Sequence, residues 1–188
     1  MLFCCFSQHL FAQLNNDSIK RKIEKFNIEK LYQFKAKNKV ADTLADGSIV
    51  IYFDNAEIIQ ETIKMPNSVY KSNRQYFKDN LSLKKEELYF YDMPVGTTRE
   101  YDPSGKLIME VDYDSIFKYS LNDLSKNTLQ NYSIDLFRDK HFGIMRHIED
   151  LQNPYYELLI YSGGLIRVLI INGITGKIIS DTYTTIKK

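Results

Sequence analysis

The sequence predicts an α+β fold: an N-terminal helix, a row of antiparallel β-hairpins, then a helix packed on an antiparallel β-meander. Three observations carry that reading. Tyr (14) and Phe (11) are abundant and Trp is absent, a mix that suits half-buried pleated surfaces. Turn chemistry such as Asp54-Asn55, Asp79-Asn80 and Ser162-Gly163-Gly164 punctuates short strand-like runs along most of the chain. Apolar residues at helical spacing stand out in two stretches, near residues 16–37 and 120–131.

Bulk properties bound the function. A chain of 188 residues that is 44% apolar can bury one good core or two small ones. With 25 basic against 24 acidic side chains the net charge is +1. That leaves no global field to draw the chain onto nucleic acid or anionic lipid, so a partner is to be recognised by shape or local charge.

Residues 1–13 read as a secretory signal segment: the opening run Met1 to Gln13 has an apolar core followed by the small Ala12. The segment departs from the usual pattern in having no Lys or Arg at its start and Leu10 where a small residue is expected. Both cysteines, Cys4 and Cys5, lie inside it. Removal of the segment leaves a chain without thiols, which excludes a disulfide framework, a thiolate metal site and a Cys nucleophile. No later apolar run approaches the ~20 residues that span a bilayer.

Residues 14–40 predict a helix, with Asp17 and Ser18 as capping residues and Ile19, Ile23 and Phe26 on one stripe. The stripe drifts after Asn27, where Ile28, Leu31 and Tyr32 point elsewhere, so the helix either breaks there or is covered on two sides. Lys20, Arg21, Lys22, Lys25 and Lys30, diluted by Glu24 and Glu29, read as a solvated face.

Residues 41–114 hold a weak internal repeat. Tyr52-Phe53, Tyr76-Phe77 and Tyr101-Asp102 each precede a turn and a second run closed by Glu61, Glu86 and Glu110 respectively. The tyrosines stand 24 and 25 residues apart, and each unit is a candidate hairpin. Gly96 ahead of Tyr101-Asp102, then Gly105-Lys106-Leu107, resembles the MORN-type repeats of bacterial antitoxin-like and cell-surface proteins; the first two copies lack the glycine. A hairpin row makes an open sheet that needs a cover on one face, and the first helix is available for it.

Residues 115–188 predict a helix from Ser120 to about Asn131, with Leu121, Leu124, Thr128 and Leu129 on one side. Strands follow at Phe142 to Ile148, Tyr155 to Tyr161, Leu165 to Ile171 and Lys177 to Tyr183, joined by short Gly-containing links that imply antiparallel neighbours. The last hairpin, Ile171-Asn172-Gly173-Ile174-Thr175-Gly176-Lys177-Ile178, resembles that of the PepSY domain, with Asn172 and Lys177 in place of two usual acids. The resemblance implies a non-catalytic binding or inhibitory module.

Candidate chemistry is sparse. Glu110, Asp112 and Asp114 alternate with Val111 and Tyr113, so a strand would project three carboxylates from one face. A metal, a basic partner or cations on the next strand could answer them. His141, His147 and Glu149 are candidates for a metal or acid/base site, although six residues is a poor spacing for helical ligands. The basic and aromatic run Tyr70, Lys71, Arg74, Tyr76, Phe77, Lys78 could stack on a nucleic acid or glycan, but near-zero net charge and export speak against nucleic acid. No phosphate-binding loop, nucleophile elbow or zincin spacing is present in the sequence. The expectation is a non-enzymatic, periplasmic or secreted protein-binding module that needs no cofactor, with Glu110, Asp112 and Asp114 as its binding residues. An immunity protein that neutralises a toxin, and a metal-dependent hydrolase using His141 and His147, are the alternatives.

Overall fold

The computed structural model describes residues 24–36 and 41–185. The expected signal segment and Asp17, Ser18, Ile19, Lys20, Arg21, Lys22 and Ile23 lie outside the described residues. Within them the architecture is helix plus antiparallel strand, in two sheets.

The chain first runs extended, not helical as expected, from Glu24 to Asn27. Phe26 N–H donates to the Leu81 carbonyl (2.8 Å) and Leu83 N–H to that of Glu24 (3.0 Å). The reason is burial: Phe26 sets its ring 5.6 Å from Tyr52 and 5.1 Å from Tyr76, and that packing outweighs helix propensity. The helix α1 begins one residue after Asn27, spanning Ile28–Ala36. Asn27 Oδ1 accepts from Glu29 N–H (3.0 Å) at its start.

Seven strands follow as a meander in sequence order: β1 (Ala41–Thr43), β2 (Ile49–Asp54), β3 (Ile58–Lys64), β4 (Tyr70–Phe77), β5 (Leu83–Phe90), β6 (Met93–Tyr101) and β7 (Leu107–Asp112). Turn side chains close the links after β2, β4 and β6. Asn55 Oδ1 accepts from Glu57 and Ile58 N–H (2.8 and 2.9 Å), Asn80 Oδ1 from Ser82 N–H (3.0 Å), and Asp102 Oδ1 from Ser104 and Lys106 N–H (2.9 and 3.0 Å). These are the turn positions read from the sequence.

After β7 the chain leaves the sheet through a short helix α2 (Tyr113–Ile116) and enters α3 (Leu121–Tyr132). Ser120 caps α3 by accepting from Asp123 N–H (3.1 Å). Leu124 and Thr128 are fully buried, whereas Leu129, expected on the same side, is 53% exposed. One residue beyond Thr128, it has rotated about 100° off the core face. The second sheet, β8 (Phe142–His147), β9 (Tyr155–Ser162), β10 (Leu165–Asn172) and β11 (Ile178–Thr185), is a four-stranded antiparallel meander, as the sequence predicts.

Both cores lie on one face of the N-terminal sheet, at opposite ends of its strands. Side chains alternate along β4, so Tyr70, Ser72, Arg74 and Tyr76 share that face. Tyr76 belongs to a small core with Phe26, Leu31, Ile59 and Leu83. Tyr70 packs at the other end on a larger core, where Phe90, Met93 and Val95 meet Leu124 of α3 and Ile144, Tyr156, Leu158 and Leu169 of the C-terminal sheet. The polar residues of the middle rows therefore floor a trough between two covers.

Candidate interaction surfaces

The floor of that trough is a row of alternating charge. The register sets Glu61 of β3 opposite Arg74 of β4, Arg74 opposite Glu86 of β5, Glu86 opposite Arg99 of β6, and Arg99 opposite Glu110 of β7. The glutamates that close the three repeats are thus brought onto one line. Tyrosines that open the repeats flank it: Tyr52 O–H donates to Glu61 (2.9 Å), Tyr101 O–H to Glu86 (2.8 Å) and Tyr76 O–H to Glu24 (3.3 Å). Burial first, then the charge of Glu61, pushes the phenols of Tyr52 and Tyr76 well above the usual tyrosine range.

The three predicted carboxylates do not form one stripe. Glu110 stays on β7 and takes Arg99 Nε at 2.6 Å, so the answering cation comes from the next strand. Asp112 ends β7 and caps α2, accepting from Asp114 and Ser115 N–H (3.1 and 3.3 Å). Asp114 is helical rather than on the strand, and accepts from Arg146 Nη1 (2.9 Å) and Gly96 N–H (3.2 Å). Because the Asp112 side chain satisfies backbone donors of a helix start, the chain turns out of the sheet there and the predicted alternation stops.

The two histidines stand at opposite ends of β8, about 20 Å apart at about 3.3 Å per residue. His141 offers its carbonyl to Tyr161 N–H (3.0 Å). His147 stacks on Tyr155 at 4.5 Å, with Nε2 2.8 Å from Glu157 and Nδ1 3.6 Å from Glu149. His147 and Glu149 do meet; His141 does not join them. Among the described residues no group of three His, Cys, Asp or Glu side chains is placed to hold a metal ion. The basic and aromatic run of β4 also divides, Tyr70, Arg74 and Tyr76 facing the trough while Lys71 and Phe77 take the other face.

A surface that sequence reasoning missed lies on the C-terminal sheet. Its inner face carries Ile144, Tyr156, Leu158 and Leu169 into the core. Its outer face, by strict alternation and register, carries Met145, Leu159, Tyr161, Ile166, Val168 and Ile170, with Gly143 and Glu157 among them and His147 and Tyr155 at one end. None of these six belongs to either core; Met145 and Tyr161 are 41% and 40% exposed and the others are half-buried by neighbours in the sheet. At about 4.8 Å between strands and about 6.6 Å between same-face neighbours they cover roughly 190 Å². That area is modest, and it is the apolar character of a solvent-facing sheet, not its size, that sets it apart. The signal was available: Leu165-Ile166-Arg167-Val168-Leu169-Ile170-Ile171 is apolar at both parities save one arginine, the pattern of a strand covered on both faces.

No family model, curated protein or solved structure matches this chain. Function is therefore argued from the surfaces themselves. No helix among the described residues is long and apolar enough to cross a membrane.

Two clefts adjoin α1. One of about 370 Å³ opens between α1 and β1 to β4, and a second of about 130 Å³ adjoins it; Lys30, Glu61 and Arg74 line both. The roof is tied down by Asp54, which accepts from Lys35 Nζ of α1 (2.9 Å) and from Lys78 Nζ (3.2 Å). The Lys35 bond, then that of Lys78, holds the Asp54 carboxyl below the usual carboxylate range. A depressed carboxylate contributes stability that is full above its unfolded pKa of about 4 and is lost as pH falls through the lower folded value. The protection factors of α1 amides, exchange rates corrected for the intrinsic pH dependence, are expected to fall over that acidic window, and Asp54→Asn is expected to lower them at neutral pH.

Proposed function

We propose that this chain is a non-enzymatic protein-binding module of the bacterial envelope, exported to the periplasm or secreted, which docks its partner on the outer face of the C-terminal sheet. One observation supports the reading above the others: Met145, Leu159, Tyr161, Ile166, Val168 and Ile170, around the single carboxylate Glu157, form a largely apolar open sheet face where water-facing positions are ordinarily polar. A partner with a complementary apolar surface removes that area from water, the dominant favourable term in association.

The resemblances agree with a binding role. In the PepSY-like reading, Asn172 Oδ1 closes the last hairpin by accepting from Ile174 and Thr175 N–H (3.0 and 2.8 Å), and a carboxylate there would offer the same acceptor. In the MORN-type reading, the three hairpins serve as a scaffold that presents the C-terminal sheet. Glu110, Asp112 and Asp114 are spent on Arg99, a helix cap and Arg146. That shifts the proposed contact surface away from them.

The test is a pull-down of the tagged, periplasmically expressed chain from its native cells, beside Val168→Glu and Ile170→Glu variants of verified fold. A single stoichiometric protein retained by the native chain, and weakened about 30-fold or more by either variant, is the expected result; that corresponds to a hot-spot loss of about 2 kcal/mol. A toxin as that protein selects the immunity version. Equal retention by the variants would reject the face, and no specific retention would reject the module.

A further inference from the structure

We infer that the cleft beneath α1 binds a small zwitterion with an aliphatic body, in the size range of an amino acid to a dipeptide. The site is on the other sheet from the proposed docking face and stands independently of it.

Glu61 sets the first half of the argument. It is only 7% exposed, yet among the described residues its one hydrogen-bond donor is the Tyr52 hydroxyl, at 2.9 Å. Arg74 lies directly opposite in register but sends Nη1 to Glu24, 3.1 Å away, and no Lys or Arg among the described residues forms an ion pair with Glu61. A buried carboxylate has room for about four hydrogen bonds and is costly to hold with one. Glu61 lines both clefts. A ligand ammonium placed there supplies the missing donors and adds to the charge that Arg74 sets opposite.

Lys30 sets the second half. It lines both clefts, is exposed at the mouth, and among the described residues makes no ion pair. Its ammonium is placed to take a carboxylate. The main cleft also presents apolar Leu44, Val50 and Ile63 beside polar Gln33, Asp42 and Tyr52. The main cleft, at about 370 Å³, lies at the small end of ligand pockets, which run roughly 300–1,000 Å³. A purely anionic ligand would meet Glu61 and Asp42 in the main cleft and Glu24 in the second, and a purely cationic one Lys30 and Arg74. A molecule carrying both charges with a hydrocarbon part meets each wall with its complement.

The test is titration calorimetry on the full chain with leucyl-leucine, its N-acetyl form and its C-terminal amide. The zwitterion is expected to bind, and each capped form at least about tenfold more weakly, the scale of one charge-assisted hydrogen bond. Glu61→Gln is expected to erase the discrimination against the acetyl form, and Lys30→Met that against the amide. The comparison among ligands needs only the native chain, so it decides the matter even where a variant fails to fold. No heat from leucyl-leucine at about 10 mM, or equal binding of all three, overturns the assignment. Neither outcome bears on the pull-down.

Discussion

Replacing Arg146 with alanine is expected to cost about 2–5 kcal/mol of stability, the range for truncating a large buried side chain, measured as a fall in the urea midpoint at unchanged slope. The Arg146 side chain is 1% exposed and joins the two sheets. From β8 it reaches Asp114 Oδ1 (2.9 Å) and the Pro94 carbonyl of β6 (3.4 Å) with Nη1, and the Tyr156 hydroxyl (3.2 Å) with Nη2. The guanidinium also lies over the rings of Phe117 (4.7 Å) and Tyr156 (5.4 Å). Truncation removes all of these at once and strands the Pro94 carbonyl at the seam. Arg146→Met is expected to lose less, because its chain refills the space between the rings. Asp114→Asn is expected to cost about 1–2 kcal/mol, since asparagine keeps an acceptor for the buried guanidinium and removes only its counter-charge, from a side chain that is itself 60% exposed. Equal losses from the alanine and asparagine variants would show that the seam does not depend on the buried guanidinium.

Arg146 also shows where sequence reading stops. The strand that carries it was legible, because Phe142 to Ile148 is a short run between turn signals and has few alternatives. What the arginine meets was not, since Pro94 and Asp114 come into reach only when two sheets pack. The repeat is the converse case. Tyrosine, turn and glutamate at a fixed interval announced hairpins, and the structure places Glu61, Glu86 and Glu110 on one row. The arginines that interleave with them were invisible as a pattern because register belongs to strand pairs. At Asp112 the acidic alternation continued in sequence while the backbone began a helix; a side chain that caps looks the same, in one dimension, as one that lines a strand. The outer apolar face was legible in β10 and passed over, because a both-sided apolar strand reads equally well as a core strand.

The turn between β10 and β11 is the second place where a small change has a large consequence. Gly176 has φ +71°, and a Cβ built there lies 2.6 Å from Tyr119 Cδ2. Tyr119 cannot swing freely: its N–H donates to the Gly173 carbonyl (2.9 Å), its hydroxyl to the Asp123 carbonyl (3.1 Å), and its own carbonyl accepts from Tyr156 O–H (2.9 Å). Gly176→Ala therefore combines a left-handed backbone, about 1–2 kcal/mol, with overpacking, about 1–3 kcal/mol, and a total of about 2–5 kcal/mol is expected. Gly164 separates the two contributions. It has φ +85° but nothing within 4 Å of a built Cβ, so Gly164→Ala should lose the backbone part alone. Gly173→Ala isolates the steric part, with a Cβ 2.6 Å from the Phe117 ring and 2.8 Å from the Pro154 carbonyl. That oxygen already accepts from Gly173 N–H (2.7 Å), so it cannot yield without breaking the contact that seats the hairpin. Thermal or urea unfolding of the three variants should rank Gly164→Ala mildest. A Gly176→Ala protein no less stable than Gly164→Ala would mean that Tyr119 yields to the added methyl and that the hairpin is seated loosely against the segment entering α3.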